Sequence, residues 1–181
     1  MSILKIYSIA AIVGIALGLL GSCAIAINGR TFPKYDGVDP EAAPYVNQWL
    51  YLAKARGLTF DQQVTVGFAN IKEAGVAGQT TYGPDYVEID LNVKDWNRFS
   101  KVERAAVVYH ELTHAYCYRD HDFGYGTPYP EIQDEDNPKK GGFFDDGCSF
   151  SIMCPYIMDD FCNTIHYSEY VEEMFNRCAP L

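Results

Sequence analysis

The distribution of apolar positions divides the chain into one long uncharged run and several shorter patterned segments. From Ile6 to Ile27 (IYSIAAIVGIALGLLGSCAIAI) there is no charged residue, and Lys5 precedes the run. After a stretch rich in Gly, Pro, Asp and Asn over residues 28–43, Tyr45, Trp49, Leu50, Leu52 and Ala53 recur at helical spacing. Pro44 suits a first helical turn there, and Gly57 a stop. Val64, Val66 and Phe68 alternate with polar or small residues, which predicts a strand. Tyr86–Leu91 (YVEIDL) predicts a second, with Val87, Ile89 and Leu91 on one face; the glycines at 75, 78 and 83 mark the interval as turn or loop. Ser100-Lys101-Val102-Glu103 has the capping-box form and predicts a helix reaching about Cys117. Its apolar stripe (Ala105, Val108, Tyr109, Leu112, Ala115 and Tyr116) lies opposite His110 and His114, so one side reads as core and the other as a site. A last helix is predicted over 168–176, burying Tyr170, Val171, Met174 and Phe175. Helices and strands together predict an α+β domain over residues 44–181, with 28–43 as linker.

The uncharged run predicts membrane targeting, because a helix rising about 1.5 Å per residue spans a bilayer at that length. Three fates are open for residues 1–27. Leu20-Gly21-Ser22-Cys23 resembles a bacterial lipoprotein box, which would leave lipid on Cys23; Ala24-Ile25-Ala26 has the small-x-small form of ordinary signal cleavage. An uncleaved anchor ending at Arg30 is the third. Each of them exports the globular part and leaves the membrane as a partner only through the N-terminus.

Composition adds an exclusion. The 181 residues carry 14 Lys and Arg against 24 Asp and Glu, a formal net charge of -10. Nucleic-acid binding is therefore not expected, since phosphate contacts need clustered basic side chains. Much of the excess acid lies in residues 119–146, where Asp120, Asp122, Glu131, Asp134, Glu135, Asp136 and Asp145 fall in a segment of few apolar residues. That loop reads as a solvated face, and as a calcium site only if its carboxylates converge. In an exported chain, Cys117, Cys148, Cys154, Cys162 and Cys178 are expected to form disulfides, with Cys162–Cys178 as the predicted pair.

The segment with a chemical signature is His110-Glu111-Leu112-Thr113-His114, an HExxH motif. Two histidines at i and i+4 stack on one helix face within reach of one zinc, and the intervening Glu can serve as base toward an activated water. Catalytic zinc takes three protein ligands and keeps a position open. A straight helix would carry His121 about 10 Å past His114, so a sharp turn must follow for a third ligand to return. Asp120 and His121 are candidates, with Cys117 behind them.

HELTHAYCYRDH followed by Ser151-Ile152-Met153 resembles the metzincin clan of zinc peptidases, whose pattern is HExxHxxGxxH with a downstream Met-turn. HELTHAYCYRDHD, SIMCPY and HYSEYVEEMF are similar to small lipoprotein-like metallopeptidases of bacteria and phages, over roughly residues 75–178. The resemblance implies a zincin-like single domain with a small twisted sheet, an active-site helix, a Met-turn at Met153 and a C-terminal helix. It implies Zn2+ on His110 and His114 with His121 as third ligand, where the clan spacing selects Asp120, and it implies Glu111 as catalytic base. The clan's turn-forming Gly is Cys117 here. Tyr156 would assist an oxyanion, YVEIDL would be the edge along which a peptide or protein substrate pairs, and the activity would be hydrolysis of peptide bonds. Two other readings stay open: a noncatalytic envelope or virion protein with a structural zinc site, and a gluzincin taking Glu169 or Glu172 as third ligand.

Overall fold

A computed structural model describes residues 33–121 and 143–178. The N-terminal run with Cys23, and Asp122, Glu131, Asp134, Glu135 and Asp136 of the acidic segment, lie outside the described residues.

Among the described residues the elements run α1 (Ala43–Lys54), β1 (Val64–Ala69), β2 (Gly78–Tyr82), β3 (Val87–Asn92), α2 (Val93–Trp96), α3 (Lys101–Cys117), α4 (Asp160–Ile165) and α5 (Tyr167–Asn176). This is a small α+β domain. Its sheet has the order β1-β3-β2, with β1 parallel and β2 antiparallel to β3. No helix among the described residues is long and apolar enough to cross a membrane.

YVEIDL is the sheet's centre and not its edge, which corrects the expectation for that segment. Val87, Ile89 and Leu91 are fully buried toward the helices, and Glu88 on the opposite face is 1% exposed. Both faces are buried because helices cover one and the chain before α1 covers the other. The edges are β1 and β2, the latter in the glycine-containing stretch expected to be a loop. The β2 sequence GQTTY carries strand-favouring Thr and Tyr but no apolar alternation, as suits a half-exposed edge.

The core lies between the sheet's apolar face and α1, α3 and α5. Trp49 is its largest buried side chain, with ring contacts to Phe60, Tyr116 and Phe175 at 5.1–5.4 Å between centroids, and its indole N–H points at the Met174 sulfur, 3.2 Å away. On α5 the buried residues are the expected Tyr170, Val171, Met174 and Phe175. The sheet's other face is sealed by the chain before α1. Lys34 pairs with Asp90 at 3.0 Å, Tyr35 donates to the same carboxylate, and the Tyr35 ring occupies the space a side chain at Gly67 would fill. Val38 forms a parallel bridge to Val66, with Asp39 N–H donating to the Val66 carbonyl at 2.8 Å. Residues 34–39, within the segment expected to be a linker, thus pack on the sheet.

α3 starts as its sequence predicts. Ser100 Oγ accepts from Glu103 N–H at 3.1 Å and Ser100 N–H donates to the Glu103 carboxylate at 2.9 Å. The disulfides correct the predicted pairing. Cys117 bonds Cys178 and Cys148 bonds Cys162, while buried Cys154 stays outside both bridges. Cys117, the last residue of α3, meets Cys178, two residues past α5, where the two helix C-termini come together; Cys162, on the short α4, meets the segment that precedes Met153. Two such bridges mark a chain that matures in an oxidising compartment.

Candidate metal centre

The His-Glu-His face of α3 is covered. His110 is 4% exposed and Glu111 5%, because β2, the 151–153 segment and the turn after the helix close over the face that the sequence marks as a site. That turn is sharp. α3 ends at Tyr118, whose φ of 51° and ψ of 34° put a non-glycine residue in the left-handed region. For an L-residue this costs about 1 kcal/mol or more. The reversal falls one position after Cys117, which the clan pattern would make a glycine.

The turn carries His121 back to the helix. The Nε2 atoms of His114 and His121 lie 3.0 and 3.1 Å from Nε2 of His110, and one donor atom from each ring falls within 4.8 Å of the others. Two of these rings have their tautomers assigned by their partners. His110 Nδ1 faces the Ile152 carbonyl at 2.8 Å, and His114 Nδ1 faces the Arg119 carbonyl. A carbonyl only accepts, so in each neutral ring Nδ1 holds the proton and Nε2 presents a lone pair. Lone pairs facing each other across about 3 Å repel unless a cation lies between them. Tetrahedral zinc with Zn–N bonds of about 2.0–2.1 Å would hold its nitrogens about 3.3 Å apart, close to the observed spacing. The donor set therefore fits a divalent zinc ion.

Electrostatics favour neutral ligands. Burial, reinforced by the charge His114 would carry, pushes His110 down to about 3, and burial lowers His114 as well. Glu111 moves the other way. Burial raises it to about 7, against a hydrogen bond from Thr80 that favours the carboxylate.

β2 positions this glutamate. Thr80 Oγ1 donates to Glu111 Oε2 at 2.7 Å and lies 3.1 Å from the Glu111 backbone oxygen. A Cβ at Gly78 would sit 2.7 Å from Glu111 Oε1. Tyr82 donates to the His114 carbonyl, so residues 78, 80 and 82, alternating along one strand face, form a continuous contact with α3. The cleft beside them, about 500 Å³, is lined by Gly78, Thr80, Glu111, His114, Asp120 and His121 among others.

The other candidates are placed differently. Asp120 lines the cleft but is not in the three-nitrogen cluster. The Cys117 sulfur is committed to a disulfide and cannot be a thiolate ligand. Met153 is fully buried in the turn whose Ile152 carbonyl accepts from His110. Tyr156 is 59% exposed and lines a separate hollow with Ala106, Ile152 and Tyr170. Glu169 is exposed and bonds Ser168, and Glu172 pairs with Arg56, so neither comes to the histidines. Of the acidic segment, the described Asp146 pairs with His166 at 2.8 Å, and no described cluster of its carboxylates suits calcium. Gly78, Thr80, Tyr82 and Arg119 did not stand out in the sequence. The period-two spacing of the first three was the available signal.

Comparison with known proteins gives no match: no family model, no curated protein and no solved structure matches the chain. The metzincin resemblance rests on its motifs alone.

Proposed function

We propose that this domain is a zinc-dependent peptidase of the exported, membrane-tethered kind, with His110, His114 and His121 as ligands and Glu111 as general base. The observation that carries the reading is the convergence of three imidazole nitrogens, two with lone pairs directed inward by carbonyl partners, beside a buried glutamate lining the same cleft. Zinc held there would supply Lewis-acid polarisation of a carbonyl and acidify a water. Glu111, raised by burial toward neutrality, is suited to take a proton from the attacking water and return it to the leaving amine. Thr80 holds the carboxylate in place and favours its ionised form. β2 is the proposed pairing edge for an extended substrate in place of YVEIDL, since it borders both the sheet and the cleft.

Peptide linkages are favoured over other hydrolysable bonds by the strand edge, which offers main-chain hydrogen bonds to an extended backbone. The test is zinc titration of the metal-free full-length chain with parallel cleavage of a peptide library. One zinc per chain, lost in His121→Ala along with cleavage, is the expected result. A chain that takes up no stoichiometric zinc, or cleaves equally after chelation, would remove the proposal; stoichiometric zinc without cleavage by any preparation would assign the site to stabilising the fold.

A further inference from the structure

The two carbonyls that set the histidine tautomers belong to separate segments, residues 118–121 and 149–153, and one part-buried side chain connects them. Glu173 on α5 spends both carboxylate oxygens internally. Oε1 receives the Arg119 guanidinium, and Oε2 accepts from Ser151 Oγ at 2.8 Å. The triangle closes with Arg119 Nη2 donating to Ser151 Oγ at 3.3 Å. Arg119 Nη1 also reaches the Glu173 and Met174 carbonyls, at 3.3 and 3.4 Å in the last turn of α5.

Each arm ends at a histidine. Arg119 is the residue whose own carbonyl accepts from His114 Nδ1. Ser151 Oγ accepts from Met153 N–H at 3.0 Å, and Cys154 N–H donates to the Ser151 carbonyl at 3.3 Å, which fixes a turn around Ile152. The Ile152 carbonyl then accepts from His110 Nδ1. The Arg119 and Glu173 side chains are only 5% and 14% exposed. Desolvation offsets most of the Coulombic gain of such a pair, and apolar side chains of similar volume often serve stability as well or better. Fold stability is therefore a poor account of this pair, whereas its hydrogen bonds lead to both metal-facing rings.

We propose that Glu173 is a positioning residue for the metal centre, fixing through Arg119 and Ser151 the two carbonyls that hold His110 and His114 with Nδ1 protonated and Nε2 free to ligate. The inference rests on the zinc reading of the site but extends to the helix opposite it. Partners of this kind set ligand orientation, and their loss typically lowers metal affinity by about 10- to 100-fold.

The experiment compares the full-length chain with Glu173→Gln, Ser151→Ala and, as an exposed control on the same helix, Ser168→Ala. Two quantities are read: zinc affinity by chelator competition, and the histidine tautomers of the metal-free protein by 15N NMR. Glu173→Gln should lose affinity by about 10- to 100-fold, and its His110 and His114 signals should depart from the single Nδ1–H form. Ser151→Ala should show the same change at His110 with His114 less affected, and Ser168→Ala should match the parent. Ser151→Ala removes one hydroxyl and decides the matter if Glu173→Gln does not fold. Parent-like affinity and tautomers in the informative variants would overturn the proposal, as would lost affinity with tautomers unchanged. A parent that binds no zinc would defeat the peptidase reading, and the tautomer comparison would then decide the positioning claim by itself.

Discussion

On the proposed mechanism, replacing Gly78 with alanine should cripple hydrolysis while leaving zinc in place. The added Cβ would sit 2.7 Å from Glu111 Oε1, 2.8 Å from Cγ and 3.0 Å from Cδ. Ordinary contacts begin near about 3.5 Å, so the glutamate must retreat by roughly 0.5 to 0.8 Å. It cannot do so and keep the 2.7 Å bond from Thr80 to Oε2. Misplacement of a reacting group by about 1 Å can cost about 100-fold, so a fall in kcat of about 10- to 100-fold is expected. The three atoms nearest this Cβ all belong to Glu111, and zinc affinity should stay at the parent value. Gly78 has no left-handed backbone to protect, and alanine in a strand is by itself favourable by about 0.5–1 kcal/mol over glycine. Steady-state turnover of the zinc-loaded variant, with metal content measured on the same sample, is the assay. Parent-like kcat would refute the claim that β2 sets the position of Glu111, and lost zinc would show that the contact acts on the ligands instead.

Three further outcomes follow from the same contacts. Thr80→Val removes the bond that favours the Glu111 carboxylate, so the acid limb of the pH–rate profile should move to higher pH; a limb at the parent position would detach Thr80 from the base. Cys117→Ser with Cys178→Ser opens a closure spanning 61 residues, for which chain entropy gives about 4 kcal/mol; urea unfolding should show a loss of that order, and a loss under about 1 kcal/mol would mean the bridge adds little. In the metal-free chain, His110 lies far below its ordinary 6.5, so its contribution to stability is present above that pH and is lost as pH falls toward about 3. Glu111 works oppositely: its contribution is present below 4.5 and is lost as pH rises through about 7. Urea midpoints across pH 4–8 should lose the second trend in Glu111→Gln and keep the first.

Local signals were readable where one short segment contains all its determinants. The capping box sets the start of α3, the period-two run from Val87 to Leu91 makes β3, and the apolar spacing of Tyr170, Val171, Met174 and Phe175 makes α5. HExxH likewise places His110 and His114 together because helical geometry alone stacks i and i+4. What escaped depends on packing between distant segments. β2 has no apolar alternation because it is an edge, and the period of β3 does not report that this strand lies at the centre of the sheet. α4 is six residues long with little periodicity. Disulfide partners follow from how α5 and α4 lie on the domain, which spacing between cysteines does not encode. Arg119 and Glu173 are separated by 54 residues, and nothing near either one announces the other. His121 is a candidate by its place after the motif as well as by resemblance, but its return to the helix depends on Tyr118 adopting a left-handed conformation that tyrosine rarely takes.

The proposed role of Glu111 is that of a base beside zinc held by three histidines. Its most direct measurement is kcat/KM of Glu111→Gln against the parent on a peptide that the parent cleaves, with both proteins at equal zinc occupancy. Gln keeps the side chain's size and can still accept a hydrogen bond from Thr80, but cannot take a proton. A fall of about 100- to 10,000-fold with zinc retained is expected; cleavage by the variant at the parent's rate would contradict that role for Glu111.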